Sequence, residues 1–366
     1  MKAVGCHVFA GGFSRGVRRV FDVAGQLERY DLGQETVESM GLRFARHNDS
    51  KAWLDERDLL EDAVFLFGNP KCAGCRRKQA RDVIELCELG AQIGIPVIAW
   101  ESAQHVYSSS RSRPFLTALA EDIFIPRRYR IAHVMVSARS FGNAQRRRRY
   151  FFVAYNADLK FNASPIKCIR KPTLRDVIEP LESNTCVAMP INRKSCVDYD
   201  AFSSLKLTSD EEACMHLLPQ GADLNWLAAT NPSALKRASL YYHSVWDLRT
   251  SNKPFGLNCL RRALYDAPCP TLSAGSMRML HPTLDRTLSV GEFATLMNWD
   301  SIPVGPLPIL QLVEGVVPVV GQWLAERAKE CLSNTWGKED WGISKDGERY
   351  DARGLDEKVL WVEDMT

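Results

Sequence analysis

Through residue 157 the chain alternates short apolar runs with helix-prone segments, a pattern that commits it to βαβ units and a mainly parallel sheet. The runs predict strands at Ala3–Phe9, Val23–Leu27, Ala63–Phe67, Pro96–Trp100, Tyr129–Val136 and Tyr150–Tyr155, with helices over Ser14–Val20, Arg76–Gly94 and Arg113–Asp122. In such a sheet, ligands bind beyond the carboxyl ends of the strands, where several of these runs meet glycine or polar loops.

From residue 158 to 284 the periodicity weakens and Pro, Asn, Ser and Cys become frequent, which marks an inserted or appended recognition region. Helices are expected there only at Asp210–Leu218, Pro232–Tyr242 and Gly256–Tyr265. Amphipathic patterning returns over Ser289–Met297 and Val317–Ala328, so residues 285–330 are expected to pack back on the first part. Residues 331–366 lean acidic and read as a peripheral tail with one apolar anchor, Val359–Val362.

Composition excludes several classes. A 45% hydrophobic content over 366 residues supplies a real core. No leader pattern opens the chain and no uninterrupted apolar run is expected to span a bilayer, so a cytoplasmic protein without a membrane partner is expected. Eleven cysteines, an odd number unevenly spread, fit reduced thiols better than a disulfide framework. The net charge of +3 is small, but Arg127, Arg128, Arg130, Arg139 and Arg146–Arg149 lie in a stretch, Ile125–Tyr150, that holds no acid. That stretch is either a phosphate-binding surface or a solvated arginine face.

Four short motifs carry chemistry. In VFAGGFSRGVRRVF a strand meets glycines and then a helix, which suits close approach of an anionic ligand to the backbone. Glu28 ends the second predicted strand, where an acid can accept hydrogen bonds from ribose hydroxyls or simply face solvent. In GNPKCAGC a buried strand runs into two cysteines at a helix start. Backbone N–H groups together with Lys71, Arg76 and Arg77 lower the pKa of a thiol placed there, which makes Cys72 a candidate nucleophile. A zinc half-site or a redox pair with Cys75, or an inert buried thiol, are the other readings, although no second CxxC completes a zinc site and no metal is expected. Glu101 follows an apolar strand, a place that suits either a partly desolvated acid that delivers a proton or a cap for the next segment. In FGNAQRRRRYFFVAY the strand alternation puts Gln145, Arg147 and Arg149 on one face and Arg146 and Arg148 on the other.

In this order, the motifs resemble those of the DNA cytosine-C5 methyltransferases. Phe9, Ala10, Gly11 and Gly12 are similar to that family's cofactor loop, GNPKC to its Pro-Cys nucleophile loop, Glu101-Ser-Ala103 to its Glu-Asn-Val motif, and Gln145-x-Arg147-x-Arg149 to its Gln-x-Arg-x-Arg motif. The segment with Arg286, Thr287, Ser289 and Glu292 resembles a later helix-opening motif, and QLVEGVVPVVGQWLA resembles the closing one. The departures are a glycine loop about two residues shorter, Lys71 in place of proline, Cys75-Arg76 in place of Phe-Ser, Ser102 in place of Asn, and Val313-Glu314 in place of Gly-Asn.

The resemblance implies an α/β, Rossmann-like S-adenosylmethionine-dependent methyltransferase fold with a smaller, irregular target recognition domain, acting as a monomer on double-stranded DNA. It implies cofactor contacts from Phe9, Ala10, Gly11, Gly12, Glu28, Asn69, Pro70, Glu314 and Val316, and DNA contacts from Lys71, Arg76, Arg146 and Arg148. The cytosine is flipped out, Cys72 attacks C6, Glu101 contacts N3 and supplies a proton, Arg147 stabilises the activated base, and Arg149 and Gln145 organise the pocket. A non-standard sulfonium donor, a modified base, or a DNA-binding relative without turnover are the alternatives, and the divergence has a phage-like character.

Overall fold

A computed structural model describes residues 1–48, 50–70, 80–164, 171–182, 207, 209–237, 259–273, 276, 278–335 and 359–362. Two compact units divide the chain. One comprises Met1–Gly142, Arg148–Ile169 and Gly315–Thr366, and the other Asn143–Arg147 and Arg170–Glu314. Residues 285–314 therefore belong to the second unit, and of the 285–330 stretch only residues 315–330 join the first.

The first unit holds an eight-stranded sheet in the order β10-β6-β7-β5-β4-β1-β2-β3. In chain order the strands are β1 (Lys2–Cys6), β2 (Asp22–Glu28), β3 (Arg43–Arg46), β4 (Ala63–Gly68), β5 (Val97–Ala103), β6 (Tyr129–Ser137), β7 (Arg148–Asn156) and, after the second unit's β8 (Arg261–Arg262) and β9 (Met279–Leu280), β10 (Val359–Val362). Strand β7 runs antiparallel to both β5 and β6, while β1 is parallel to β2 and β4. The strand order reverses between β1 and β4, so the switch point of the sheet lies beyond Cys6 and Gly68. The central strands are apolar on both faces, as helix-covered parallel strands must be: Phe65, Leu66, Phe67, Val97, Ile98 and Trp100 are all fully buried.

Several boundaries differ from those expected. Strand β1 stops at Cys6 instead of Phe9 because His7 and Phe9 both take left-handed backbone angles (φ 57), which no ladder accepts. The first helix is Gly12–Val17, and the expected Arg113–Asp122 helix changes to a π turn over Leu119–Phe124. The expected helix at Gly256–Tyr265 is contradicted by β8, which pairs with β9. Within the tail, the helix Pro318–Ser333 runs past residue 331 and Val359–Val362 is a sheet strand, so neither segment is peripheral. Pro308–Ser333, two successive helices, passes a test of length and composition for crossing a bilayer, but 72% of its most apolar window is buried inside the protein, as in core helices.

The helix Gly12–Val17 packs on Pro318–Ser333 at backbone distance. A Cβ on Gly16 would lie 2.2 Å from the Pro318 carbonyl oxygen and 2.6 Å from the Gln322 nitrogen. Neither atom can swing aside, so Gly16→Ala is expected to cost roughly 3 kcal/mol, read as a lower urea midpoint at unchanged m-value.

In the second unit, a cluster of Cys214, Leu218, Leu224, Leu227, Leu235, Leu260 and Leu280 forms the core. Arg262 is buried through it and donates to the carbonyls of Met215, Leu218, His281 and Leu284 and to Asp285.

Candidate active site

Beyond the end of β1, the turn His7–Gly11 carries its amides inward. Val8 and Phe9 donate their N–H groups to Glu28 Oε1 at 2.5 and 3.0 Å, and Gly11 (φ 81) caps the following helix. Glu28 ends β2 and is 1% exposed. Burial raises its carboxyl well above the ordinary range, the two amide bonds oppose that, and Asp82 adds to it.

Phe9, Ala10, Gly11 and Gly12 are all buried. A Cβ on Gly11 would meet Met40 Cε at 2.6 Å and Gln26 Nε2 at 3.0 Å, and one on Gly33 would meet the Ala10 backbone at 2.4 Å. Internal packing thus requires both glycines, and the feature that fits a nucleoside-type cofactor is the turn at the switch point with an acid at the end of β2 beside it. Asn69 closes the turn from the other side, its N–H donating to the His7 carbonyl at 3.1 Å. Pro70 is buried next to it. Lys71, Cys72, Cys75 and Arg76 lie outside the described residues.

Because burial favours protonated Glu28 in the folded chain, its contribution to stability falls as pH rises from the unfolded value of about 4.3 through the higher folded value. Glu28→Gln keeps an acceptor for the two amides and removes that penalty. The variant's melting temperature relative to the parent is therefore expected to increase from acid to neutral pH.

Glu101 sits within β5, not beyond it, on the rung opposite Phe151 of β7. It is 2% exposed, and Arg149 Nε lies 2.6 Å from its Oε1. Both residues come from the carboxyl end of β5 and the start of β7, so an antiparallel pair of strands fixes the ion pair without any loop.

Burial alternates along the arginine run as strand geometry requires: Gln145 and Arg147 are buried, Arg149 is mostly buried, and Arg146 and Arg148 are exposed. The chain passes from the second unit to the first between Arg147 and Arg148. Within the second unit, Arg147 donates to the carbonyls of Leu272 (2.8 Å) and Val313 (3.1 Å). Gln145 accepts from the Leu272 N–H at 2.9 Å, and Asn143 donates to the Leu296 carbonyl at 2.9 Å. Arg147 and Gln145 thus brace backbone, while Arg149 pairs with Glu101.

Glu314 is exposed in the second unit and Val316 is buried in the first. Ser289 and Glu292 form a capping box that opens Val290–Leu296, and Arg286 grips Glu292 with both arms at 2.8 Å.

Sequence reasoning passed over one buried polar group. Arg29, next to Glu28, pairs with Glu85 and with Asp82 (3.4 Å) at the start of the helix Arg81–Ile93. His7, Asp82 and Glu85 bring ligand-type atoms within 4.8 Å of one another. Two acids three residues apart at the start of a helix were the available signal.

Residues 123–301 match the family profile described as C-5 cytosine-specific DNA methylase. No curated protein sequence matches significantly. Among solved structures, the fold is similar to a protein of an E. coli prophage described as a DNA modification methyltransferase (16% identity, TM-score 0.58, covering 91% of this chain and 100% of that one). It is also similar to the Entamoeba histolytica methyltransferase EhMeth (10%, 0.57, 91% and 98%) and to S. pombe Dnmt2 methyltransferase (10%, 0.52, 91% and 99%). The sheet and these neighbours make the fold a Rossmann-like methyltransferase fold.

Proposed function

We propose that this chain, whose residues 123–301 match the C-5 cytosine-specific DNA methylase profile, is an enzyme that methylates C5 of an extruded cytosine in duplex DNA through a covalent Cys72 adduct. The observation that carries this reading is the buried Glu101–Arg149 pair at the carboxyl end of β5, in the same unit as the glycine turn and Glu28.

S-adenosylmethionine, when bound, supplies an electrophilic methyl group. The residues positioned to hold it are the turn Phe9–Gly12 and Glu28, with Asn69 and Pro70 at the end of β4. The base must leave the stack because C5 and C6 are inaccessible within it. The Cys72 thiolate adds to C6, and Glu101 holds N3 and delivers a proton there, so that electron density gathers at C5. Arg149 stabilises the ring's carbonyl oxygen and keeps Glu101 aimed, a role the sequence resemblance gave to Arg147. C5 would take the methyl group as the donor's S–CH3 bond breaks and a neutral thioether departs; a base then removes the C5 proton, the cysteine leaves C6 as thiolate, and the N3 proton returns to Glu101. Arg146 and Arg148, exposed beside the pocket-forming residues in sequence, contribute phosphate contacts.

Incubation with methyl-labelled S-adenosylmethionine and mixed-sequence duplex DNA, followed by base-resolution mapping, tests the proposal. Label at cytosine C5 is the expected result. Label on another atom or base, or none in any duplex, would overturn it.

A further inference from the structure

The outer edge of β6 is paired to a segment from the far end of the chain. Residues Val359–Val362 run parallel to β6, in the register Val359 with His133, Leu360 with Val134, Trp361 with Met135 and Val362 with Val136. Without β10, those four residues of β6 would present an unpaired row of backbone donors and acceptors, the kind of edge that takes up an extended strand by backbone pairing.

The rungs continue inward to the candidate active site. Val134 pairs with Phe151 and Phe151 with Glu101, while Val136 pairs with Arg149 and Arg149 with Ala103. Leu360 therefore lies on the rung of Glu101, and Val362 on the rung of Arg149. Three strand spacings separate β10 from β5, or about 14 Å.

The β6–β7 ladder ends just beyond these rungs, at Ser137 with Arg148. The last pairs of a ladder fray most readily, and a strand paired on one side only frays more than one paired on both. Strand β10 converts β6 from an edge strand to an interior one over the stretch whose neighbour positions Arg149.

We propose that the β6 edge, His133–Val136, is a strand-addition surface whose partner is the chain's own C-terminal segment 359–362, and that its occupancy holds Glu101 and Arg149 in register. The strand is a positioning element: it contributes no group to the reaction. The active-site half of the proposal rests on the methyltransferase reading above, whereas the strand-addition half does not.

The test compares the full-length chain with Leu360→Pro/Trp361→Pro, since one of two successive prolines must remove a donor facing β6. Hydrogen-exchange mass spectrometry reads peptides covering residues 133–136 and 149–151, with β1 and β2 as internal references. Exchange is expected to rise at least tenfold at 133–136, and measurably at 149–151, with the references unchanged. A synthetic peptide of residues 357–366 is expected to restore protection. A chain ending at residue 358 serves as the second variant if the prolines disturb the references.

Unchanged exchange at 133–136 in both variants would overturn the strand-addition surface. A rise confined to β6 would overturn the link to Arg149. The rate of adduct formation on a 5-fluorocytosine duplex is expected to fall several-fold in the variant, with S-adenosylmethionine affinity retained, and an equal rate would also sink the positioning role. If even the parent chain forms no adduct, the methyltransferase reading fails while the exchange result stands independently.

Discussion

Glu101→Gln lowers methyl transfer by about 10²–10⁴-fold, the range for removing a positioned general acid. The substitution keeps the size of a side chain that is 2% exposed and keeps an acceptor for Arg149 at the same place. Folding and S-adenosylmethionine affinity are therefore expected to stay within a few-fold of the parent, and the loss falls on turnover. Arg149→Ala is expected to match the catalytic loss and to destabilise as well, because it removes the guanidinium paired with the buried Glu101 carboxyl. Arg147→Ala separates the two effects: it strips donors from the Leu272 and Val313 carbonyls and is expected to lower the melting temperature first. Full turnover in Glu101→Gln would remove this carboxyl from the mechanism.

Cys72→Ser abolishes the covalent adduct with duplex DNA containing 5-fluorocytosine. Fluorine at C5 blocks the elimination that normally frees the enzyme, so the adduct accumulates and is visible as a shifted band. A serine hydroxyl ionises too weakly at neutral pH to replace the thiolate. Cys75→Ser is expected to retain the adduct. The reverse result, with Cys75 required and Cys72 dispensable, would move the nucleophile by three positions and leave the rest of the site in place.

The alternation of apolar runs was enough to read the sheet, because strands buried on both faces must be apolar whatever their exact ends. Boundaries were less legible. His7-Val-Phe9 continues the apolar run of β1, yet its backbone turns away, and side-chain patterning does not encode backbone angles. Strand β3, Arg43–Arg46, was missed because an edge strand of four residues with arginine at both ends lacks an apolar signal. Alternation identified which of Gln145 to Arg149 turn inward. It did not say that Arg147 would meet carbonyls while Arg149 met a carboxylate, since partners from residues 101, 272 and 313 are set by tertiary packing. The assignment of residues 285–314 to the second unit was likewise invisible, because helical periodicity reveals an apolar face but not what covers it.

One oxygen of Glu28 already grips the two amides that shape the glycine turn. The turn is thus preorganised by the chain itself, and a donor held there as proposed has little of it left to order. On that proposal, association is expected to need no slow rearrangement of this turn, and affinity differences among sulfonium analogues to show mainly in how fast they leave.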